Sequence, residues 1–136
     1  MRLLVIDTSG PECAAGIYDT AAGGLVAFRS ETIGKGHAEI LPGMIETVVA
    51  ESGMPLKSMD RVAVTIGPGS FTGIRVGVAM ARGLALALGV PAVGVSTLQV
   101  VAEPALGGSP RVLALIDARR GLAMFRKVNV PVLGII

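Results

Sequence analysis

Short runs of apolar residues, separated by turn-forming residues, open the chain. They cover residues 3–6, 14–18 and 25–28, with Gly-Pro after the first run and a Gly-Gly pair before the third. Apolar stretches of this length, bounded by Gly, Pro and Asp, are typical of strands. Because the links between them are short, we predict three strands in an antiparallel meander.

The spacing of the apolar residues changes at residue 37. From there to residue 50 they recur at three- and four-residue intervals, which predicts an amphipathic helix that Ser52-Gly53 ends. Further on, we predict a strand at 61–66, a helix at 72–88, a strand at 92–95 and a short helix that Ser96 caps. The predicted order of elements is βββαβαβα.

Three antiparallel strands followed by right-handed βα crossovers give an α/β fold whose mixed five-stranded sheet has its first strand near the centre. This is the layout of the ribonuclease H-like lobe, which actin-like (ASKHA) ATPases carry twice in tandem. An apolar strand ending in Asp7 has a counterpart ending in Asp117, 110 residues later. We therefore expect one lobe over residues 1–110, and over 111–136 a stub of a truncated second lobe, too short to bury a core.

Composition favours a globular protein with one closely packed core. Of 136 residues, 51% are hydrophobic and 3% aromatic, with 19 glycines and a mean hydropathy of +0.70. Such a chain is neither disordered nor a disulfide-stapled miniprotein. The single cysteine, Cys13, cannot form an intramolecular bridge, and no targeting segment precedes Asp7, so we expect a cytoplasmic protein.

Neither nucleic acid nor a membrane is the partner that charge and hydropathy favour. The net charge is only +2, and the basic excess lies in residues 111–136, where a solvated edge is the simpler explanation. Residues 83–102 form an uncharged run long enough to span a bilayer. Gly89 and Pro91 interrupt it, however, so we predict the end of one helix and a buried strand there.

A glycine-rich turn from Ile66 to Arg75 joins the fourth predicted strand to the second long helix. Its glycines permit close approach, and the helix N-terminus attracts anions, so a phosphate site is one hypothesis. The turn lacks the Gly-Lys-Ser/Thr of a P-loop, and such residues also serve merely to turn the chain. The weak candidates for nucleotide or phosphate binding are Asp7, Thr8, Ser9, Gly67, Gly69, Ser70 and Thr72.

Two interpretations remain open for Asp7, which ends the central strand. In this fold class such an aspartate can hold a metal or a catalytic water, but an Asx turn onto the Ser9 N–H is equally compatible with Asp7-Thr8-Ser9. The only histidine, His37, cannot build a metal site alone. A nucleophilic pair of Cys13 and His37 is formally possible, although a buried, inert thiol is the favoured interpretation. We assign no catalytic and no metal-binding residue.

Small residues recur every four positions along the second long helix. Packing against the chain's own sheet explains such a stripe, yet the wide apolar face of the first helix favours a helical partner. We therefore predict a partner interface that contains His37, Ile40, Leu41, Met44, Ile45, Val48, Gly73, Ile74, Gly77, Val78 and Ala81.

Several of these motifs together resemble the bacterial TsaB (YeaZ) family over about residues 1–121. They are Ile6-Asp7-Thr8-Ser9, the helix start at 36–42, the turn and helix start at 66–77 with Gly83-Leu84-Ala85, the segment 94–98, and Leu115-Ile116-Asp117-Ala118-Arg119-Arg120-Gly121. The resemblance implies a noncatalytic scaffold subunit for threonylcarbamoylation (t6A) of adenosine at tRNA position 37. It further implies that TsaD is the catalytic partner, that TsaE is an ATPase, and that ATP and metal belong to those subunits.

The resemblance also implies a homodimer when TsaD is absent, and only indirect contact with tRNA. TsaD holds its metal with two histidines on the first helix, whereas this chain has His37 alone. After Gly121 the chain departs from the family pattern, which expects an acidic residue and a tyrosine there. The alternative function is that of an actin-like nucleotide-binding hydrolase or kinase lobe. Such relatives have also been labelled glycoproteases, but this sequence offers neither a nucleophile nor a set of metal ligands that would support protease activity.

Overall fold

A five-stranded mixed sheet forms the centre of the computed structural model, which describes residues 1–108, 111–119 and 122–129. The elements are β1 (Arg2–Asp7), β2 (Glu12–Asp19), β3 (Gly24–Thr32), α1 (His37–Ser52), a 3-10 turn (Leu56–Ser58), β4 (Arg61–Thr65), α2 (Phe71–Leu88), β5 (Ala92–Val95), α3 (Thr97–Leu106), β6 (Arg111–Arg119) and β7 (Leu122–Asn129).

The strands lie in the order β3-β2-β1-β4-β5. Strand β1 is central; it pairs antiparallel with β2 and parallel with β4, while β5 extends the parallel half. The predicted fold class, element order and central position of the first strand are confirmed. The predicted helices and strands differ from the observed ones mainly by one to four residues at their ends, the least determined part of any sequence pattern.

Helices α1 and α2 lie side by side on one face of the sheet and enclose the main core. Because side chains alternate along a strand, Leu4 and Ile6 of β1 point to these helices, together with Val62 and Val64 of β4. Burial of such aliphatic side chains contributes about 1.5–3 kcal/mol each. On the opposite face, Val5, Ala63 and neighbouring residues line a largely apolar cavity of about 340 Å³ beside α3.

Helix α2 approaches the sheet along its stripe of small residues. Gly73, Gly77, Ala81 and Ala85 are buried. A Cβ atom on Gly77 would lie 2.3 Å from Thr8 Oγ1, and one on Gly73 would lie 2.1 Å from the Thr8 carbonyl oxygen. No side chain fits there, so the stripe is required by packing within this chain.

Most residues of the predicted partner interface are buried within this chain, and the interface itself remains a prediction. The buried members face the chain's own core, because the apolar face of α1 and the small face of α2 turn toward the sheet. These residues are His37, Leu41, Met44, Ile45, Val48, Gly73, Gly77 and Ala81. The remaining members, Ile40, Ile74 and Val78, are half-buried at the margins of the two helices.

The uncharged run at 83–102 divides as predicted into the end of α2, strand β5 and the start of α3. Among the described residues, α2 is the one helix whose length and apolar character would suit a membrane span. Its buried residues contact the sheet, as in a core helix of a globular domain.

Strands β6 and β7 pair antiparallel in a separate two-stranded sheet. One face of this hairpin packs on α3 through Leu98, Ala102 and Ala114. The expected lobe boundary at residue 110, the Arg120-Gly121 part of the motif, and the end of the stub at 130–136 lie outside the described residues. The division into a lobe and a stub remains a prediction.

Candidate functional site

The carboxyl end of β1 is joined to the end of β4 through the Asp7 side chain. Asp7 Oδ1 accepts hydrogen bonds from the Ser9 N–H (2.9 Å), the Ser9 hydroxyl (2.7 Å) and the Thr65 hydroxyl (2.7 Å). Of the two interpretations of Asp7, the Asx turn onto Ser9 is the one the structure contains. All three hydrogen bonds are accepted by Oδ1, so this oxygen holds the loop and the neighbouring strand in place.

Thr8 connects the same loop to α2. Its side chain is fully buried, and its hydroxyl donates to the Gly73 carbonyl oxygen at 2.7 Å. A buried hydroxyl requires such a partner, because leaving it unsatisfied costs about 1–3 kcal/mol. Thr8 therefore positions the first turn of α2 and does not point into an open site.

The glycine-rich turn packs directly against Ser9. The Ser70 N–H donates to the Ser9 carbonyl oxygen at 2.7 Å, and a Cβ atom on Gly69 would lie 2.2 Å from that oxygen. Gly67 has a positive φ of 99°, and its carbonyl oxygen accepts from the Thr97 N–H at 2.9 Å. The glycines thus allow close contact between loops of the same chain.

The N-terminus of α2 is capped from within. The Gly73 N–H donates to Ser70 Oγ at 3.2 Å, so Ser70 is the capping residue. Thr72 is exposed. The cap satisfies one of the N–H groups that a phosphate at this helix end would use.

A cleft of about 620 Å³ lies between this loop and the β6–β7 hairpin. Among its described lining residues, Asp117 is the ionisable one, and none is basic. The lining consists of Ser9, Gly10, Pro11, Gly34, Pro68, Gly69, Ser70, Phe71, Ile116, Asp117 and Met124.

The structure therefore brings only part of the predicted phosphate site together. Ser9, Gly69 and Ser70 line the cleft, whereas Asp7 lines the apolar cavity on the open face of the sheet. Thr8, Gly67 and Thr72 line neither. The glycines and hydroxyls are the types that a phosphate site uses, but their contacts are internal.

His37 connects the start of α1 to the β1–β2 loop. Its Nε2 lies 3.1 Å from the carbonyl oxygens of both Gly10 and Glu12. Because both neighbours are acceptors, Nε2 carries the proton and donates to them. The role of this buried histidine is structural.

Cys13 is fully buried in the main core. Desolvation on burial raises the pKa of its thiol, and the charges of Glu31 and Asp7 raise it further. A raised pKa disfavours the thiolate that a nucleophile or metal ligand needs. The predicted burial of Cys13 is confirmed. Within the described residues, no group of three His, Cys, Asp or Glu is placed to bind a metal.

Thr65 is the residue at this site that the sequence patterns did not single out. It is buried at the end of β4, and the parallel register of Ile6 with Val64 puts it beside Asp7. A polar residue that ends a predicted buried strand next to a central strand ending in Asp was the available signal.

Comparisons with known proteins relate the chain to proteins of tRNA threonylcarbamoyladenosine biosynthesis. The family model described as "TsaD: tRNA N6-adenosine threonylcarbamoyltransferase" matches residues 19–130. The protein named "tRNA threonylcarbamoyladenosine biosynthesis protein TsaB" is 39% identical over 123 residues in Escherichia coli K12, covering 89% of this chain and 52% of that protein. The Haemophilus influenzae protein of that name is 35% identical over 130 residues, covering 94% and 54%.

Among solved structures, YeaZ from Pseudomonas aeruginosa superposes with a TM-score of 0.85 at 34% identity, covering 95% of this chain and 60% of that one. The chain thus spans about half the length of the curated relatives it matches. The family model, the sequence relatives and the shared fold lead to one conclusion: the chain belongs to the TsaB (YeaZ) family.

Proposed function

We propose that this chain acts as a noncatalytic scaffold subunit in threonylcarbamoylation of adenosine at tRNA position 37, by binding and supporting the catalytic TsaD subunit. The observation that supports this most is the occupation of its polar loop groups. Asp7, Thr8 and Ser70 each hold another element of the same chain. The name of the chain's relatives, tRNA threonylcarbamoyladenosine biosynthesis protein TsaB, supports the choice of this modification pathway.

In this proposal ATP and metal belong to the partner subunits, TsaE joins the complex, and tRNA is reached only indirectly through TsaD. The chain works in the cytoplasm, forms a homodimer when TsaD is absent and needs no membrane. We propose that TsaD docks on the exposed side of the α1–α2 layer; the side toward the sheet is buried within this chain.

Reconstitution of the modification reaction tests the proposal. Purified chain with TsaE, ATP, Mg²⁺, threonylcarbamoyl-adenylate and tRNA is expected to give no modified adenosine until TsaD is added. A matched reaction with TsaD and TsaE but without the chain should give markedly less product. Modification without TsaD, or equal product with and without the chain, would refute the scaffold role.

The alternative is an actin-like nucleotide-binding lobe, and the cleft beside Ser9 and Ser70 is the observation in its favour. Isothermal titration with ATP and Mg²⁺ separates the two functions. The absence of a basic residue among the described lining residues leads us to expect weak or no binding. Micromolar affinity would favour the nucleotide-binding function.

A further inference from the structure

An exposed aromatic ring lies at the start of α2. Phe71 is the first residue of this helix and is 75% exposed, although it also lines the cleft beside Ser9. Arg75, one helical turn later, holds its guanidinium 5.3 Å from the centre of the Phe71 ring. A cation at this distance is attracted by the face of the ring, so the two side chains form one unit.

The backbone beneath this pair is held in place by the loop after β1. Ser70 caps the helix through the Gly73 N–H, and its own N–H donates to the Ser9 carbonyl oxygen at 2.7 Å. These bonds fix the first turn of α2, from which Phe71 and Arg75 project. Side chains that are ordered before binding lose little conformational entropy when a partner arrives.

The chain's own core uses neither side chain. Phe71 belongs to neither apolar cluster, and within the described part of the chain no ion pair or hydrogen bond involves the Arg75 side chain. Around Phe71 the cleft adds aliphatic surface from Pro68, Ile116 and Met124. An apolar rim beside such a guanidinium is complementary to a surface that offers an apolar pocket next to a carboxylate.

We infer that Phe71 and Arg75 anchor the TsaD subunit, with the Phe71 ring in an apolar pocket of TsaD and the Arg75 guanidinium on one of its carboxylates. This deepens the TsaD binding of the proposed function and rests on it. Aromatic residues and arginine dominate the binding energy of many protein interfaces. Arg75 is exposed on α2, so the pair is continuous with the surface proposed for TsaD.

A nucleobase is the other occupant that an aromatic ring with an arginine can stack. The aliphatic groups around the ring favour a protein, because Pro68, Ile116 and Met124 offer contact surface to an apolar side chain and no second stacking plane for a base. Binding of tRNA is therefore the competing outcome that the experiment has to separate.

The affinity for TsaD, measured by isothermal titration with the whole chain, tests the inference. Phe71→Ala removes the ring and Arg75→Glu reverses the charge; each is expected to weaken TsaD binding by about tenfold or more. Arg75→Lys keeps the charge but loses the planar donor fork, so its effect should lie between those of the parent and Arg75→Glu.

The matched controls are Leu86→Ala and Arg82→Glu, which make similar changes at exposed positions near the other end of α2. They should bind TsaD within about twofold of the parent chain, as surface substitutions outside an anchor do. Unaltered circular dichroism and melting temperature establish that each variant is folded.

A parent chain that does not bind TsaD would refute both the proposed function and the anchor. If the parent binds, two results overturn the anchor alone: folded Phe71→Ala and Arg75→Glu variants that bind TsaD as tightly as the parent, or controls that weaken binding equally. Unchanged affinity for TsaD with reduced affinity of the TsaD complex for tRNA would also overturn it, and would assign the pair to a nucleobase.

Discussion

Residue 77 lies where α2 packs closely against the loop after β1 and against Val64 of β4. Its neighbour is the Thr8 hydroxyl, which is fixed by its own hydrogen bond to Gly73. A shift of α2 away from the loop that carries Thr8 would break that bond. The same contact explains why the small-residue stripe packs against the chain's own core.

We predict that Gly77→Ala destabilises the protein by about 1–3 kcal/mol, because its methyl group overpacks the contact with Thr8 and Val64. The matched control is Gly83→Ala on the same helix, where a Cβ atom would have no neighbour within 4 Å. That change should stabilise by about 0.5–1 kcal/mol through helix propensity. Urea unfolding followed by circular dichroism measures both, and equal stabilities for the two variants would contradict the packing.

At the scale of elements, one carboxylate connects β1, β4 and the loop that leads to β2. Asp7 accepts from Thr65 on the neighbouring strand and from Ser9 within its own loop. The loop in turn holds α2 through the bond between Ser9 and Ser70. The hydrogen bonds at this end of the sheet therefore connect four elements, which are β1, β4, the loop after β1 and α2.

We predict that Thr65→Val, which keeps the side-chain shape but removes the hydroxyl, lowers the free energy of unfolding by about 1.5–3 kcal/mol, the usual range for a hydrogen bond to a charged group. At a temperature where the variant is folded, modification of tRNA in the presence of TsaD should equal that of the parent chain. Asp7→Asn should behave in the same way. A fully folded variant that no longer supports tRNA modification would show that Asp7 and Thr65 take part directly in the function.

At the scale of the whole molecule, the free energy of unfolding at low pH depends on how the fold changes the pKa values of its carboxylates. Asp19 is buried at the end of β2. The Ala21 N–H donates to its Oδ1 at 2.9 Å, and Arg2 Nε donates to its Oδ2 at 3.4 Å. These bonds, the first above all, hold the pKa of Asp19 below its ordinary value of 3.8.

Because the folded state lowers this pKa, the stabilisation by Asp19 is present above pH 3.8 and is lost as the pH falls through the lower folded value. Asp19→Asn should therefore reduce stability at neutral pH, and the difference from the parent chain should shrink in acid. Glu103→Gln, at an exposed carboxylate on α3, is the control. Thermal melts over a series of pH values measure the difference; a gap that widens toward low pH would contradict the assignment.

The sequence alone determined the order of elements, the central place of β1 and the family relationship, because apolar periodicity, turn residues and contiguous motifs are local properties of the chain. It also limited metal chemistry, since one histidine and one cysteine leave few ligands. Only the tertiary structure decided which way each face points. A stripe such as Gly73, Gly77 and Ala81 has the same spacing whether it meets a sheet or a second chain, and Asp7 has the same neighbours in sequence whether it holds a ligand or its own loop. The distance from Gly77 to Thr8 and the bond from Thr65 to Asp7 join residues that are more than fifty positions apart, so the folded chain alone resolves them.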